Sequence, residues 1–365
     1  MGQSMLAIGL MSGTSRDGVD AALIETDGEG AVAAIASHAS PYEDGFRLRL
    51  TEACGRAMAM DAPRFEPLIH AVEAELTEHH VQAVADLLGR SGHVAQDIGV
   101  IGFHGHTVAH RPERRWTWQI GDGAALAGAF GIAVVGDLRG ADVRAGGQGA
   151  PLLPVYHRAL AHGLPRPAAI LNLGGVANIT AIGVDDALIA FDTGMASALI
   201  DNWMQAHGDA LYDAGGATAA AGRVDDERLA AMMADPWFAL PPPKSLDREA
   251  FSIDAVRGLS LEDGAATLTA FSAAAVARGI DHLPARPARI HVGGGGRHNA
   301  TLMAMLAQRT GARVASVDAL GWDGDVLEAQ GFAYMAVRHL AGLPISFPGT
   351  TGAPAPMTGG VLFRP

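Results

Sequence analysis

Asp192 sits at the end of an apolar run, in Ala190-Phe191-Asp192-Thr193-Gly194, where a strand would hand its carboxylate to whatever lies beyond. Asp-Thr-Gly is also the signature of aspartic proteases, which need two such carboxyls sharing a proton. The chain has no second Asp-Thr-Gly or Asp-Ser-Gly, so that chemistry is set aside. Two readings stay open: a cap for a helix that starts near Ala196, or a general base working alone. The second chemistry on offer is anion binding. Gly13, Thr14, Ser15, Arg16, Asp17, Gly18, Val19 and Asp20 join the apolar runs Leu6–Met11 and Val19–Ile24. Such a turn points amides and hydroxyls at one place, as a phosphate requires, although the same residues also make an ordinary hairpin.

Two further glycine-rich strand ends weigh toward phosphate. Asn172, Gly174 and Gly175 lie in Leu171-Asn172-Leu173-Gly174-Gly175-Val176, again between apolar runs. Gly293, Gly294, Gly295 and Gly296, with Asn299, close a strand and open a helix, where bare backbone admits a bulky ligand. Neither a P-loop nor a Gly-x-Gly-x-x-Gly dinucleotide fingerprint is present, because the latter fails at His298 or Asn299. His104, His106 and His110 have a spacing that could suggest zinc, but no fourth ligand is near and Pro112 follows. The single cysteine, Cys54, excludes an intramolecular disulfide and a cysteine zinc site, and reads as a small apolar helix residue.

These groups must be carried by an α/β scaffold. Strands are predicted at Leu6–Met11, Val19–Thr26, Ala31–Ser37, Ile98–His104, Trp116–Ile120 and Ile132–Asp137. In the second half they fall at Ala168–Leu173, Ile179–Ile182, Leu188–Asp192 and Arg289–Val292. Helices are predicted at Phe46–Met60, Glu66–Leu88, Ala124–Ala129, Ala196–Ala206, Ala265–Ile280, Thr301–Arg309 and Glu328–Leu340. Strands lead and helices follow in both halves, which implies two similar lobes. The glycine- and proline-rich stretch Gly140–Pro154 is the expected crossing between them. The boundaries expected are 1–136 with about 341–365 for the N-terminal lobe and 137–340 for the C-terminal lobe.

At 365 residues, 49% hydrophobic and 18% charged, the chain has ample material for folded cores. A net charge of −13 argues against nucleic acid or an anionic membrane as partner. No uninterrupted apolar stretch of about 18 residues exists, and no basic region followed by an apolar run and a cleavage site opens the chain. A cytoplasmic protein is the expectation.

Two glycine hairpins in separate halves plus a late strand–glycine–helix resemble the actin-like (ribonuclease H-like) ATPase and sugar-kinase fold, with nucleotide in an interlobe cleft. Gly9–Asp20, His104-Gly105-His106-Thr107, Gln119-Ile120-Gly121, Gly146–Pro151, Leu171–Asn178, Phe191-Asp192-Thr193-Gly194 and Gly293–Asn299 together resemble the anhydro-N-acetylmuramic acid kinase family over nearly the whole chain. The sequence departs from that pattern at Arg16, at His106, at Gly140-Ala141 and at Met195-Ala196-Ser197, and Met11 stands where wider relatives place a metal-holding acid. The resemblance implies an ATP- and Mg2+-dependent enzyme of cell-wall recycling that opens the 1,6-anhydro ring of anhydro-N-acetylmuramic acid and phosphorylates O6. It implies that Gly13–Asp20, Asn172, Gly174, Gly175, Gly294, Gly295, Gly296 and Asn299 bind ATP, and that Asp192 is the base. His104, Gly105, Arg139 and Glu328 would meet the sugar. Arg139 could instead pair with Asp137 or Asp142, and Glu328 could simply favour a helix N-terminus. Metal ligands are left unassigned, and a homodimer is left open. The rival readings are another sugar or short-acid kinase of this fold and a non-enzymatic nucleotide switch.

Overall fold

The strand β1 (Met5–Ser12) is apolar from end to end because it lies mid-sheet, and Ala7, Ile8 and Leu10 have no exposed surface. It pairs antiparallel with β2 (Gly18–Thr26), which pairs antiparallel with β3 (Val32–Pro41). The sheet continues on the other side through β4 (Ile98–Arg111), parallel to β1, and β6 (Val134–Gly136), parallel to β4, with β5 (Trp116–Ile120) hairpinned to β4. A closing strand, Val361–Phe363, completes seven strands. The structure, a computed structural model, describes residues 3–246 and 250–365.

The long helix Pro67–Ser91 shows how the sequence sets its own limits. Pro67 occupies the first helical position, Glu66 accepts the Ile69 N–H at 2.8 Å, and Gly92 ends the helix in the left-handed conformation. Its inward face, Ile69, Val72, Leu76, Ala83, Val84 and Leu87, joins the core under β1 and β4. Each fully buried large aliphatic side chain there contributes about 1.5–3 kcal/mol. The helix Leu327–Leu340 packs on the sheet far more closely. A Cβ on Gly9 would lie 1.8 Å from the Ala329 carbonyl, and one on Gly102 2.0 Å from that of Phe332. Those two glycines let helix backbone touch strand backbone, and so fix Glu328 in the first turn of the helix.

The second unit repeats the plan. β7 (Ala168–Leu173), β8 (Val176–Ile182) and β9 (Leu188–Met195) form an antiparallel meander. Beside β7, β10 (Arg289–Gly293) and then β11 (Arg313–Ser316) add in parallel, giving the order β11-β10-β7-β8-β9. β9 is therefore an edge strand. The buried helix Leu261–Ile280, capped by Ser260, covers β9 and fills the core with alanines, Phe271 and Val276.

The units are residues up to His162 with Val326–Pro365, and Gly163–Asp325. The first boundary thus falls later than the expected 136/137, and the second falls earlier than the expected 340/341. Pro154–Leu160 is helical and belongs to the first unit, as does Leu327–Leu340, pressed on β1. Gly140–Pro154 is not the crossing. It holds a short helix, Gly140–Ala145, and a loop pinned within the first unit by Asp142, whose carboxylate accepts from Gly149 N (2.7 Å), Ser346 Oγ (2.5 Å) and Thr351 Oγ1 (2.6 Å). Among the described residues no helix is long and apolar enough to cross a membrane.

Candidate active site

The first turn is built by β1 and β2. Arg16 N–H donates to the Gly13 carbonyl (3.0 Å), Arg16 takes a left-handed conformation (φ 58°), and Ser15 Oγ donates to Asp17 Oδ1 (2.7 Å). Thr14, Ser15 and Asp17 are exposed, Gly18 pairs with Pro41, and Val19 and Asp20 already belong to β2. Asp17 therefore closes its own turn. Beneath it runs a buried chain of polar contacts. Tyr42 donates to Ser12 Oγ (2.7 Å), Ser12 Oγ bonds His106 Nδ1 (2.9 Å), and His106 Nε2 lies 3.6 Å from Cys54 Sγ. Burial, reinforced by the Arg16 charge, pushes His106 down to about 3, so it is a neutral hydrogen-bonding group. Cys54 is thus more than apolar filler.

The other three-histidine members are equally committed. His110 Nδ1 contacts Thr117 Oγ1 (2.9 Å), and the Arg139 Nε–H donates to His104 Nε2 (2.9 Å). That bond leaves the His104 proton on Nδ1, facing the Gly105 carbonyl at 3.0 Å. Desolvation first and Arg139 second hold His104 well below its ordinary value. The histidines do not converge on one point, and among the described residues no trio of His, Cys, Asp or Glu could hold a metal ion. His104 is a support for Arg139, with its ring against Phe332 (4.6 Å), and Gly105 bends β4 at φ 69° beside the Ile120 carbonyl.

Arg139 pairs with neither of the expected aspartates. It donates to His104 and, through Nη1, to the Gly149 carbonyl (2.8 Å), while Asp137 pairs with Arg144 and Asp142 with the donors given above. Burial lowers Arg139 to about 10 despite the opposing Glu328 and Asp142 charges. Glu328 is raised by burial, partly offset by Arg139. His104, Gly105, Arg139 and Glu328 thus form one cluster in the first unit, where two desolvated opposite charges could hold a polar ligand.

In the second unit, Asn172 is the penultimate residue of β7 and Gly174-Gly175 make its turn. The Gly175 carbonyl accepts the Ala196 (2.9 Å) and Ala198 (3.3 Å) N–H groups, and Gly174 accepts the Ser197 N–H (3.0 Å) and Oγ (2.7 Å). The helix Ser197–His207 is therefore capped by that turn, and Asp192 makes no cap. The third turn nests on the second. A Cβ on Gly294, which has φ 74°, would lie 2.4 Å from Asn172 Oδ1. Gly295 and Gly296 enter a short 3-10 turn, Gly295–His298, before Asn299 caps the helix Ala300–Thr310 through Leu302 N (2.9 Å).

Sequence reasoning missed Arg297, which organises this corner. Its buried guanidinium donates to both Asp325 oxygens (2.7 and 2.8 Å), to Asp318 (3.0 Å) and to the Gly294 carbonyl (3.1 Å). Its partners Asp318 and Asp325 stand 21 and 28 residues along the chain, and pairing at that distance has no local signature.

Asp192 lies on β9 opposite Asn178. Its N–H donates to the Lys244 carbonyl (2.9 Å), and its Oδ2 accepts the Leu246 N–H (2.8 Å). Burial raises the carboxyl to about 7, against the smaller lowering by Leu246. A carboxylate titrating near neutrality is suited to taking a proton in catalysis.

Comparison with known proteins identifies the family. Residues 5–365 match the family model described as anhydro-N-acetylmuramic acid kinase. The "Anhydro-N-acetylmuramic acid kinase" of Rhizorhabdus wittichii is 60% identical over 362 residues, covering 99% of each chain. That of Zymomonas mobilis is 54% identical over 360 residues, 98% of this chain and 99% of its own. Among solved structures, the (R)-2-hydroxyglutaryl-CoA dehydratase component A of Acidaminococcus fermentans aligns with a TM-score of 0.50 and 11% identity, over 93% of this chain and 100% of that one. At that identity the likeness speaks to the fold alone, an α/β fold of two units.

Proposed function

Given that the chain belongs to the anhydro-N-acetylmuramic acid kinase family, we propose that it uses ATP to open the 1,6-anhydro ring of anhydro-N-acetylmuramic acid and phosphorylate O6, with Asp192 as the base. The observation that carries this reading is the Asp192 carboxyl within β9, which desolvation raises to about 7, in a chain whose family is a kinase family. Asp192 takes a proton from water, and the water oxygen bonds to C1 as the C1–O6 bond breaks. Glycosidases place a second acid on the departing oxygen. Here O6 instead takes the γ-phosphoryl group, so the products are N-acetylmuramic acid 6-phosphate and ADP, and C1 is inverted.

Phosphoryl transfer asks the protein for alignment and charge compensation. The amides and hydroxyls of Gly13–Asp20 serve the phosphates. Asn172, Gly174 and Gly175 are also assigned to ATP, and Gly294, Gly295, Gly296 and Asn299 to its nucleoside. Mg2+ commonly takes one or two carboxylates plus phosphate and water oxygens. Asp17 and Asp20, bordering the first turn, are the carboxylates that fit, and together with the phosphates the ion would offset charge on the transferring group. Arg139, held by His104, meets the lactyl carboxylate, with Glu328 and Gly105 toward the sugar. A cytoplasmic setting, where ATP is plentiful, fits this chemistry.

Turnover in 18O-labelled water tests the reading. Label is expected at C1, none in the phosphate, with ATP consumption stimulated by the anhydro sugar and little by glucose or acetate. Label in the phosphate, retention at C1, or equal stimulation by glucose would overturn it, the last in favour of a different sugar kinase.

A further inference from the structure

β9 is an edge strand, yet Asp192 in it is not left to solvent. Residues 244–246 lie along that edge, with the Lys244 carbonyl taking the Asp192 N–H and the Leu246 N–H reaching Oδ2. What holds this irregular segment in register is the side chain of Lys244. It is 8% exposed, and its Nζ donates to the carbonyls of Trp237 (3.1 Å) and Phe238 (3.3 Å) and sits 4.2 Å from the Trp237 ring centroid. The Trp237 indole N–H closes the cage by donating to the Ser245 carbonyl (3.3 Å). An ammonium against carbonyls and an aromatic face is a strong, desolvated contact.

We propose that Lys244 is a positioning residue for the reaction: seated in the Trp237–Phe238 cage, it holds residues 244–246 so that the Leu246 amide orients the Asp192 carboxylate. This rests on the reading of Asp192 as the base. Lys244 touches no reacting atom. Its surroundings carry other ionisable groups, Arg278 facing the ammonium and His282, whose Nε2–H donates to the same Phe238 carbonyl (3.0 Å). Neither contacts the Asp192 carboxyl in the described structure, so the link to the base runs through the backbone.

Lys244→Met keeps the apolar stem and removes the ammonium. It is expected to lower kcat about 10- to 100-fold, the scale of a lost charge-assisted hydrogen bond, with KM for ATP within about twofold. Loss of the Leu246 donor destabilises the ionised base, so the acid limb of the kcat profile is expected to move to higher pH by about half a unit or more. Lys244→Arg, which can reach the same carbonyls, is expected to restore most of kcat and the original limb. Trp237→Phe, which keeps a ring but deletes the indole donor, is expected to give a smaller change of the same kind and serves if the methionine variant does not fold. An unshifted acid limb in both Lys244→Met and Trp237→Phe would overturn the proposal, as would a fall in kcat that Lys244→Arg does not repair. Asp192→Asn separates the two readings. If it is inactive while Lys244→Met behaves as wild type, only the role of Lys244 falls. If Asp192→Asn retains near-normal turnover, the base assignment itself falls.

Discussion

The two hairpin turns, Gly13–Gly18 after β1 and Gly174–Gly175 after β7, occupy the same place in the meander of their respective units but are built in opposite ways. The first is closed at its tip by its own atoms, a Gly13–Arg16 backbone bond and the Ser15–Asp17 pair, with Thr14, Ser15 and Asp17 exposed, and is tied only at its exit, where Arg47 Nε donates to the Arg16 carbonyl (3.1 Å) and the Tyr42 N–H to the Asp17 carbonyl (2.8 Å). The second is braced from outside, by the amides of Ala196–Ala198 and by the Gly294 backbone lying against Asn172 and Leu173. A self-closed turn can adjust to a ligand at little energetic penalty, whereas a braced one moves only with its neighbours. The braced turn leads into β8, where Asn178 lies opposite the residue proposed as base. Chemistry that depends on placement is thus seated beside the braced turn.

Asp192→Asn should show the largest effect. Turnover is expected to drop about 10²–10⁴-fold with ATP affinity unchanged, because the base is lost and both turns remain. Isothermal titration with a non-hydrolysable ATP analogue alongside steady-state assay separates the two quantities. In the wild type the base must be ionised, so activity is expected to fall as pH drops through about 7.

Gly294→Ala should come next. Its methyl would meet Asn172 and Leu173 at 2.4–2.8 Å in a left-handed backbone, so a loss of about 1–3 kcal/mol in stability and weaker nucleotide binding are expected. Gly13→Ala, whose methyl meets only the Ser15 hydroxyl at 3.3 Å, should change either by far less. Equal penalties at the two sites would erase the distinction between braced and self-closed turns.

Asp192→Asn should also alter stability, with a sign fixed by the raised carboxyl. The folded protein binds this proton up to about pH 7, the unfolded chain only to about 4. The group's contribution is therefore fully present below pH 4 and lost as pH rises through 7. Relative to wild type the variant should gain stability from pH 5 to 8, by about 1–4 kcal/mol in thermal melts. His104→Ala, which removes the acceptor under Arg139, should raise KM for the sugar roughly tenfold with little change in kcat. Smallest of all, Ser15→Ala should shift stability by no more than about 0.5 kcal/mol, since the bond lost is exposed.

The parts of this site that could be read from residues alone are those made by contiguous sequence. Gly13–Gly18 declares its turn through glycine, serine and aspartate, and β9 declares Asp192 by an apolar run that stops there. Glu66-Pro67 and Gly92 bracket their helix in the same local code. The parts that could not be read depend on distant partners. Gly140–Pro154 reads as a glycine- and proline-rich crossing until Asp142, in the short helix Gly140–Ala145, is seen to gather Gly149, Ser346 and Thr351. His104 reads as a sugar contact, and only Arg139 folded against it shows a support. Lys244, after three prolines, reads as a mere anchor, because nothing in its neighbourhood of sequence reveals that the strand it anchors to is β9.

Asp142 also bears on how the molecule tolerates trimming. Two of the three donors to this buried carboxylate come from Ser346 and Thr351, and Gln148 donates its amide to the Thr351 carbonyl (2.6 Å). A protease cut or stop codon ahead of position 346 would strand a negative charge in a dry interior, a penalty of several kcal/mol. The closing stretch is a keystone of the first unit, and shortened versions of the protein should be insoluble rather than merely slow.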